Sequence, residues 1–243
     1  MDYFISSDLY ETESSDDDYS EKLIKLPNAG TLSYYYKPIA INDFNRQDFG
    51  LSSNDNLFMC LQTLFKLHPV MDDIFNKISQ LDNKAKFVFI DPVNAEMRPA
   101  FTKRAFAKYP ELESKFIFIK HTKNHNRYMQ LLKCADVILD PVYFNGQNTD
   151  LEAFSLNLPI VTLPSTLQRG RHTQGMYKKM GFLDLVATSS DHYAELANKL
   201  TCNDEFSKYC REEISKNKHV LYEDMHFIHN LEEALTQMIK DIQ

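Results

Sequence analysis

The segment "VILDPVYFNGQNTDLEAFSLNLPIVTLP", residues 137–164, joins two apolar runs through a glycine turn and a short helical pattern. The runs are "VILDP" (137–141) and "PIVTLP" (159–164), and both are short and rich in β-branched residues. Strands that are buried on both faces of a parallel sheet have this composition. The segment therefore predicts one strand, one helix and a second strand parallel to the first.

Similar apolar runs occur upstream of this segment, at "LFMCLQ" (57–62), "KFVFID" (86–91) and "KFIFIK" (115–120). Helical patterns separate the runs. In "VMDDIFNKISQL" (70–81) the apolar residues recur every three or four positions and share one face. A weaker pattern of the same kind is present in "RPAFTKRAFAKY" (98–109) and "HNRYMQLLKCA" (125–135). Strands that alternate with helices predict an α/β fold with a Rossmann-like, doubly wound parallel sheet.

The two ends of the chain have different patterns. After residue 185 the strand patterns fade, and we expect three helices, at residues 190–200, 203–218 and 224–240. Near the start, the acidic stretch "ETESSDDDYSE" (11–21) has a composition that is typical of disorder. Its neighbours "DYFISSDL" and "KLIKLP" are apolar enough to pack, so a surface loop between two ordered pieces is the alternative.

Size, charge and cysteine content limit the class of protein. A chain of 243 residues with 43% hydrophobic residues can bury one large core or two small ones. Its formal net charge of -7 argues against nucleic-acid binding, which normally requires a basic face. Neither a membrane span nor a signal peptide is evident, so we expect a cytoplasmic protein with no membrane partner. We expect buried thiols at all four cysteines, Cys60, Cys134, Cys202 and Cys210.

The turn before residue 148 lies where an open parallel sheet binds its ligands, beyond the carboxyl end of a strand. Gly146 lets the backbone turn tightly there, and Asn148 or Thr149 can cap the helix that follows. The unpaired N–H groups of a helix start suit a phosphate, and Glu152 can accept hydrogen bonds from a ribose one turn further in. The same pattern also occurs as plain architecture in α/β domains, so the residues alone leave both interpretations open.

Several separate runs together resemble a known family. They are "RQDFGLSSNDNLFMCLQTLFKLHPVMDDIF" (46–75) and "CADVILDPVYFNGQNTDLEAFSLNLPIVTLPSTLQRGRHTQGMYKKMGFLDLVA" (134–187). Both resemble the C-terminal half of the SPINDLY-like and O-GlcNAc-transferase-like protein glycosyltransferases, especially the bacterial branch. The start of the chain, residues 2–38, is similar to the segment that closes the family's first domain and crosses to the second. The resemblance therefore favours a loop for the acidic stretch.

The resemblance implies a division of the chain. Family members pair two facing Rossmann-like domains in the glycosyltransferase B arrangement, usually behind helical repeats that select protein acceptors. On this basis residues 1–40 are the end of the first domain and the crossing segment, and residues 41–223 are a Rossmann-like domain that binds a nucleotide sugar. Residues 224–243 are a C-terminal helix that packs back toward the N-terminal segment. The acceptor-side half and the repeats have no counterpart in the sequence, so we expect a donor-binding half.

The resemblance assigns a catalytic role to Lys66. In "TLFKLHP" this residue matches a family lysine that contacts the donor diphosphate. An ammonium group there would stabilise the charge that develops on the leaving phosphate, so neither a metal nor a cofactor is expected. Gln62 and Thr63 match positions near the donor. Without the resemblance, a solvated lysine in a loop is the simpler interpretation of Lys66.

The run "NGQNTDLE" (145–152) matches the family's Gly-rich helix start, which holds the donor diphosphate. The match implies that Gly146 forms the turn and that Gln147, Asn148 and Thr149 contact phosphate. It also places Glu152 on the ribose. These residues complete the donor-binding site that the resemblance predicts.

The sequence departs from the family pattern at three places. Gln147 replaces a histidine, and Asp150 puts a carboxylate close to the expected phosphate, where it would weaken binding unless it points away. Where the family has a donor-contacting lysine, this chain has His125, with Lys120 and Lys123 near enough to substitute. These changes bear on affinity and on the identity of the donor.

Two further groups have competing interpretations. In "LQRGRH", Arg169, Arg171 and His172 can form an anion clamp, or they can pin the loop or face the missing partner domain. The histidine pairs His121 with His125 and His226 with His229 are best interpreted as surface residues, and we expect no metal site. For the tyrosines of "SYYYKP" (33–38) we favour packing in the crossing segment over an interface.

Three classes of function fit these observations. The first is the donor-binding part of a protein O-glycosyltransferase, with transfer from UDP-GlcNAc to serine or threonine of a protein acceptor. The second is a binding module that holds a nucleotide sugar or a partner without catalysis, and the third is a degenerate remnant. A GDP-fucose donor is the alternative to UDP-GlcNAc. A second polypeptide that supplies the acceptor half would reconcile the retained donor residues with the missing half.

Overall fold

The computed structural model describes residues 2–38, 41 and 43–242 of the chain. The strands are β1 (Tyr3–Ser7), β2 (Lys22–Leu26), β3 (Asn56–Met59), β4 (Ala85–Ile90), β5 (Phe116–Ile119), β6 (Val137–Leu139) and β7 (Ile160–Val161). The α-helices are α1 (Val70–Leu81), α2 (Met97–Lys108), α3 (His125–Lys133), α4 (Asn148–Ser155), α5 (His172–Met180), α6 (Ser190–Cys202), α7 (Asp204–Asn217) and α8 (Met225–Ile242). No helix within these ranges is long and apolar enough to cross a membrane.

The main sheet has five strands in the order β5-β4-β3-β6-β7, and all its pairings are parallel. The chain starts in the middle at β3, adds β4 and β5 on one side, and then returns to add β6 and β7 on the other. This arrangement confirms the predicted doubly wound sheet. It opens a crevice at the carboxyl ends of β3 and β6, where the strand order reverses.

Aromatic packing explains why the apolar runs form this sheet. The ring of Phe75 on α1 lies 5.0 Å from Phe87 on β4, and Phe89 lies 4.9 Å from Phe116 on β5. Phe75, Phe87 and Phe89 are fully buried, so the phenylalanine-rich strands and α1 share one core. The helix bounds match the predicted 70–81, because the apolar face that defined them is the face that packs on the sheet.

The N-terminal segment forms a second, two-stranded sheet, in which β1 and β2 pair in parallel. The acidic stretch joins them as an ordered loop with a 3-10 turn at Ser15–Asp18, which confirms the loop interpretation. Phe227 of α8 packs against Leu26 and Ala29 at the end of this sheet. The predicted domain boundary at residues 40 and 41 falls where residues 39, 40 and 42 lie outside the described part of the chain.

The cysteine prediction is wrong at one position. Cys60, Cys134 and Cys210 are buried free thiols, whereas Cys202 is exposed. Cys202 is the last residue of α6, and the side chains at the end of a helix are covered only if another element passes over them. The helix predicted at residues 190–200 ended before Cys202, whereas α6 continues to this exposed residue.

Candidate functional site

The site lies at the carboxyl ends of β3 and β6, where two loops approach each other. The loop after β3 ends in a 3-10 turn at Leu64–Lys66, and Leu64 is buried. Arg104 of α2 fixes the next residue by donating from Nη2 to the Leu67 carbonyl at 2.9 Å. The same guanidinium makes a two-point contact with the buried Asp72, at 2.8 and 2.9 Å. The backbone that carries Lys66 is therefore held by a charged anchor.

Lys66 reaches across the crevice. Its Nζ donates to the carbonyl oxygen of Asn145 at 3.0 Å and to Oε1 of Gln62 at 2.9 Å. The ammonium group also lies 4.5 Å from the ring centroid of Phe144. The ammonium group of Lys66 therefore lies beside the loop that leads into α4.

Gln62 links the two loops directly. Its side-chain amide donates to the hydroxyl of Thr149 in the first turn of α4. Lys66, Gln62 and Thr149 are thus joined by one chain of hydrogen bonds. Thr63 is exposed, and its side chain makes no capping hydrogen bond in the described structure. Thr63 is therefore not part of this series of hydrogen bonds.

The start of α4 differs from the expected cap. Gln147 occupies the N-cap position, with φ −143° and ψ −76°, and the helix begins at Asn148. Asn148 and Thr149 are therefore the first helical residues, and the prediction that one of them caps the helix is wrong. No side chain of the described residues caps this end. The N–H groups of the first turn, which have no intrahelical acceptor, remain available for a ligand.

Gly146 is required by crowding. Its N–H donates to Oδ1 of Asp140 at 2.9 Å. A Cβ atom at this position would lie 2.1 Å from Oδ1 of Asp150 and 2.7 Å from Oγ1 of Thr149. A nearby residue carries the strained backbone instead, since Tyr143 has φ 75°, in the left-handed region that non-glycine residues rarely adopt.

Asp150 points into the domain rather than toward a phosphate. It is 1% exposed, and Thr173 of α5 lies 2.7 Å from its Oδ2. Burial raises the pKa of Asp150 well above its ordinary value, and the neighbouring charge of Asp140 raises it further. The repulsion expected between the Asp150 carboxylate and a phosphate at the helix start is therefore avoided, because Asp150 points inward and is buried.

Glu152 lies one turn into α4 and faces the start of α3. Its Oε1 is 3.6 Å from Nδ1 of His125. Burial raises the pKa of Glu152, and the charge of His125 opposes this shift. Lys120 and Lys123 are exposed on the loop before α3. His125, which stands where the family has a lysine, lies against Glu152.

Two pockets flank the start of α3. One, of about 500 Å³, runs across the ends of β3, β4 and β5 from Gln62 and Thr63 to Tyr128. The other, of about 320 Å³, is lined by His125, Met129 and the tyrosines at 34–36. Tyr35 packs against the core as predicted, but Tyr36 is 74% exposed, so packing accounts for only part of the tyrosine run.

The two arginines after β7 have different environments, since Arg171 is buried and Arg169 is exposed. Arg171 is buried, pairs with Glu11 of the N-terminal segment at 3.2 Å and donates to the Thr166 carbonyl at 3.1 Å. Arg169 donates to the carbonyl of the strained Tyr143 at 3.2 Å. Burial lowers the pKa of His172 to about 4, which keeps this side chain neutral at physiological pH. The anion-clamp interpretation is therefore wrong for Arg171, which pins the loop to the start of the chain.

Two residues that shape the site were missed by the sequence analysis. Asp140 accepts the N–H of Gly146, and Thr173 lies between Asp140 and Asp150. The position of Asp140 directly after a strand was a usable signal, because strand ends form the ligand edge of such a sheet. Nothing local to Thr173 indicates its role. The histidines at 121, 125, 226 and 229 are all exposed, in line with their interpretation as surface residues.

Fold and site together define the class: a Rossmann-like α/β domain with an ammonium group and an uncapped helix start at the reversal of its strand order. A family model of glycosyl transferase family 41 matches residues 33–231. The chain belongs to this family.

Two eukaryotic relatives are similar to the chain. The "Probable UDP-N-acetylglucosamine–peptide N-acetylglucosaminyltransferase SEC" of Arabidopsis thaliana is 24% identical over 98% of this chain, which spans 25% of that protein. The UDP-N-acetylglucosamine–peptide N-acetylglucosaminyltransferase of Caenorhabditis elegans is 22% identical over 81% of this chain, which spans 17% of it. The chain thus spans a quarter or less of these relatives.

Solved structures agree on the fold. A mutant O-GlcNAc transferase of Thermobaculum terrenum superposes with a TM-score of 0.80 at 21% identity, covering 99% of this chain and 45% of that one. A mutant of TarM from S. aureus, in a complex that includes UDP, has a TM-score of 0.57 at 15% identity, covering 96% of this chain and 43% of that one. The chain has the fold of one half of a glycosyltransferase B enzyme.

Proposed function

We propose that the chain binds the nucleotide sugar donor of a protein O-glycosyltransferase, with UDP-GlcNAc as the donor. The observation that supports this most strongly is the convergence of the Lys66 ammonium group with the uncapped start of α4, through Gln62 and Thr149. A diphosphate at the first N–H groups of α4 would meet both the helix dipole and this cation.

In this proposal each residue has a distinct task. Gln147, Asn148 and Thr149 offer backbone N–H groups to the diphosphate, and Lys66 neutralises the charge that develops on the leaving phosphate. The ammonium group of Lys66 supplies the neutralising positive charge, so this role does not require a metal ion. Glu152 accepts hydrogen bonds from the ribose, and the nucleoside extends toward the pocket of about 500 Å³ that Gln62 and Tyr128 line.

The relatives support the donor and acceptor classes. The printed names of the Arabidopsis and Caenorhabditis proteins specify UDP-N-acetylglucosamine and a peptide acceptor. We propose the same classes for this chain, with GDP-fucose as the alternative donor. Non-catalytic binding of the nucleotide sugar is the alternative function, because the residues that support donor binding do not by themselves position an acceptor.

Transfer requires an acceptor-binding half, and we propose that a second polypeptide in the cytoplasm supplies it. The β1–β2 sheet and α8 offer a junction, since α8 packs at the end of this sheet while Leu235 and Ile239 remain 44% and 60% exposed. Co-purification of this chain with a protein that carries an acceptor domain is the expected result. A chain that stays monomeric in the presence of all such candidates would contradict this part of the proposal.

Calorimetric titration with UDP, UDP-GlcNAc, GDP and GDP-fucose tests donor binding and identifies the donor. We expect saturable binding of the uridine pair, and Glu152→Gln should weaken UDP binding about tenfold by removing charged hydrogen bonds to the ribose. The same variant should leave the affinity for inorganic pyrophosphate, which has no ribose, unchanged. Glu205→Gln, at an exposed carboxylate on α7, is the matched control. Absence of binding by all four nucleotides would contradict the proposed function.

A further inference from the structure

A buried chain of hydrogen bonds lies directly beneath the start of α4. Asp140, at the end of β6, accepts three of them: from the N–H of Gly146 at 2.9 Å, from the hydroxyl of Thr162 at 2.7 Å and from the hydroxyl of Thr173 at 2.7 Å. It is 1% exposed. The turn that leads into α4 is therefore held from below by one carboxylate.

The Thr173 hydroxyl has two carboxyl neighbours. Its Oγ1 lies 2.7 Å from Oδ2 of Asp140 and 2.7 Å from Oδ2 of Asp150. A hydroxyl has one proton and can donate to only one of them. The other contact is a hydrogen bond only if that carboxyl group carries a proton of its own.

The surroundings decide which carboxyl group carries it. Both oxygens of Asp140 already accept hydrogen bonds, so Asp140 is suited to be the anion. Among the described residues the Asp150 carboxyl group has one hydrogen-bond partner, the Thr173 hydroxyl at its Oδ2. Because Thr173 gives its single proton to the anionic Asp140, the contact at Oδ2 of Asp150 requires a proton on Asp150, which makes Asp150 the neutral carboxylic acid.

The charges around the pair agree with this assignment. Burial raises the pKa of Asp140 and its hydrogen bonds partly offset this rise, with a net pKa of about 6. Burial and the charge of Asp140 together raise the pKa of Asp150 well above its ordinary value. The ionisable side chains packed around them from the other elements are Tyr10, Cys60, Lys66, Tyr177 and Tyr193. Burial raises the pKa of the three tyrosines and of the Cys60 thiol, so these four side chains add no charge beside the pair at neutral pH.

We infer that Asp150 is a positioning residue that acts as a neutral acid: it holds a proton on Oδ2, donates it to Thr173, and thereby orients Thr173 toward Asp140 and the Gly146 turn. The inference rests on the proposed function for its consequence, since a diphosphate above α4 then faces one buried negative charge instead of two.

Three variants separate this role from simple packing. Asp150→Ala removes the donor to Thr173, and we expect UDP affinity to fall about tenfold and Tm to fall by about 5 °C. Asp150→Asn has an amide group that can donate to Thr173 as the protonated acid does, so it should restore both quantities. Asp140→Asn should not be tolerated, because an amide nitrogen cannot accept hydrogen bonds.

The proton itself is measured by the carbon NMR signal of the Asp150 carboxyl group at neutral pH. We expect the shift of a protonated acid, and the Asp150→Asn variant assigns the signal by its loss. A carboxylate signal at Asp150, or an Asp150→Asn protein as impaired as Asp150→Ala, would overturn the inference. These readouts do not need a ligand, so failure of wild-type protein to bind UDP would reject the proposed function while the carboxyl signal and Tm still decide the state of Asp150.

Discussion

Lys66→Met is expected to weaken UDP binding about a hundredfold, a loss of about 3 kcal/mol, because it removes the cation that faces the diphosphate. The variant keeps the apolar stem of the side chain and loses the ammonium group, with its contact on the Phe144 ring and its hydrogen bonds to Gln62 and Asn145. Binding of UMP, which lacks the second phosphate, should fall by a smaller factor. Calorimetry with both ligands measures the two effects.

Lys84→Met is the matched control for Lys66→Met. Lys84 is exposed and directly precedes β4, so it lies at the amino ends of the strands, away from the crevice. We expect it to bind UDP as tightly as the wild-type chain. Equal losses for UDP and UMP in Lys66→Met would contradict the assignment of Lys66 to the diphosphate, and an unchanged affinity for both would remove Lys66 from the site.

Glu11→Ala is expected to destabilise the fold by about 3–5 kcal/mol, since it leaves a buried guanidinium without its counter-ion. The side chains of Arg171 and Glu11 are 7% and 1% exposed in their contact at 3.2 Å. Glu11 also accepts hydrogen bonds from Ser6 and from Tyr19, so three donors lose their acceptor together. The free energy of unfolding in urea measures the effect.

A surface pair in the same loop provides the comparison. Asp16 contacts Lys25 at 2.6 Å, and its side chain is 64% exposed, so Asp16→Ala should change stability by less than about 1 kcal/mol. Combining Glu11→Ala with Arg171→Met should recover part of the loss, because no buried charge then remains unpaired. A Glu11→Ala protein as stable as Asp16→Ala would show that the N-terminal segment is not anchored through this pair.

Periodicity predicted the main sheet and its helices because burial there follows the local pattern. The alternating phenylalanines of β4 and β5 and the apolar face of α1 are buried by their immediate neighbours, so hydrophobic spacing is enough to find them. The parallel pair β1 and β2 was not predicted as strands. This pair packs against α8, which lies at the other end of the chain. A local sequence pattern cannot show a contact between residues so far apart in the sequence.

The hydrogen bonds of the candidate site could not be predicted from the sequence, and the donor-binding role of its residues stays a prediction. The resemblance pointed to Lys66, Gln62 and Thr149, and the structure joins these three, while Thr63 lies outside their chain. The orientation of Asp150 could not be read from the sequence, because it depends on Thr173 of α5 arriving from a distant position. Which way a carboxylate points is a property of packing.

Amide NMR spectra of the chain titrated with UDP test the central claim most directly, because they report the location of the ligand as well as its affinity. The account predicts that the backbone N–H signals of Gln147, Asn148 and Thr149 shift most, in a saturable manner, and that these shifts are lost in Lys66→Met. Largest shifts elsewhere, for example at the pocket of about 750 Å³ between Thr12 and Arg169, or no shifts at all, would contradict a donor site at the start of α4.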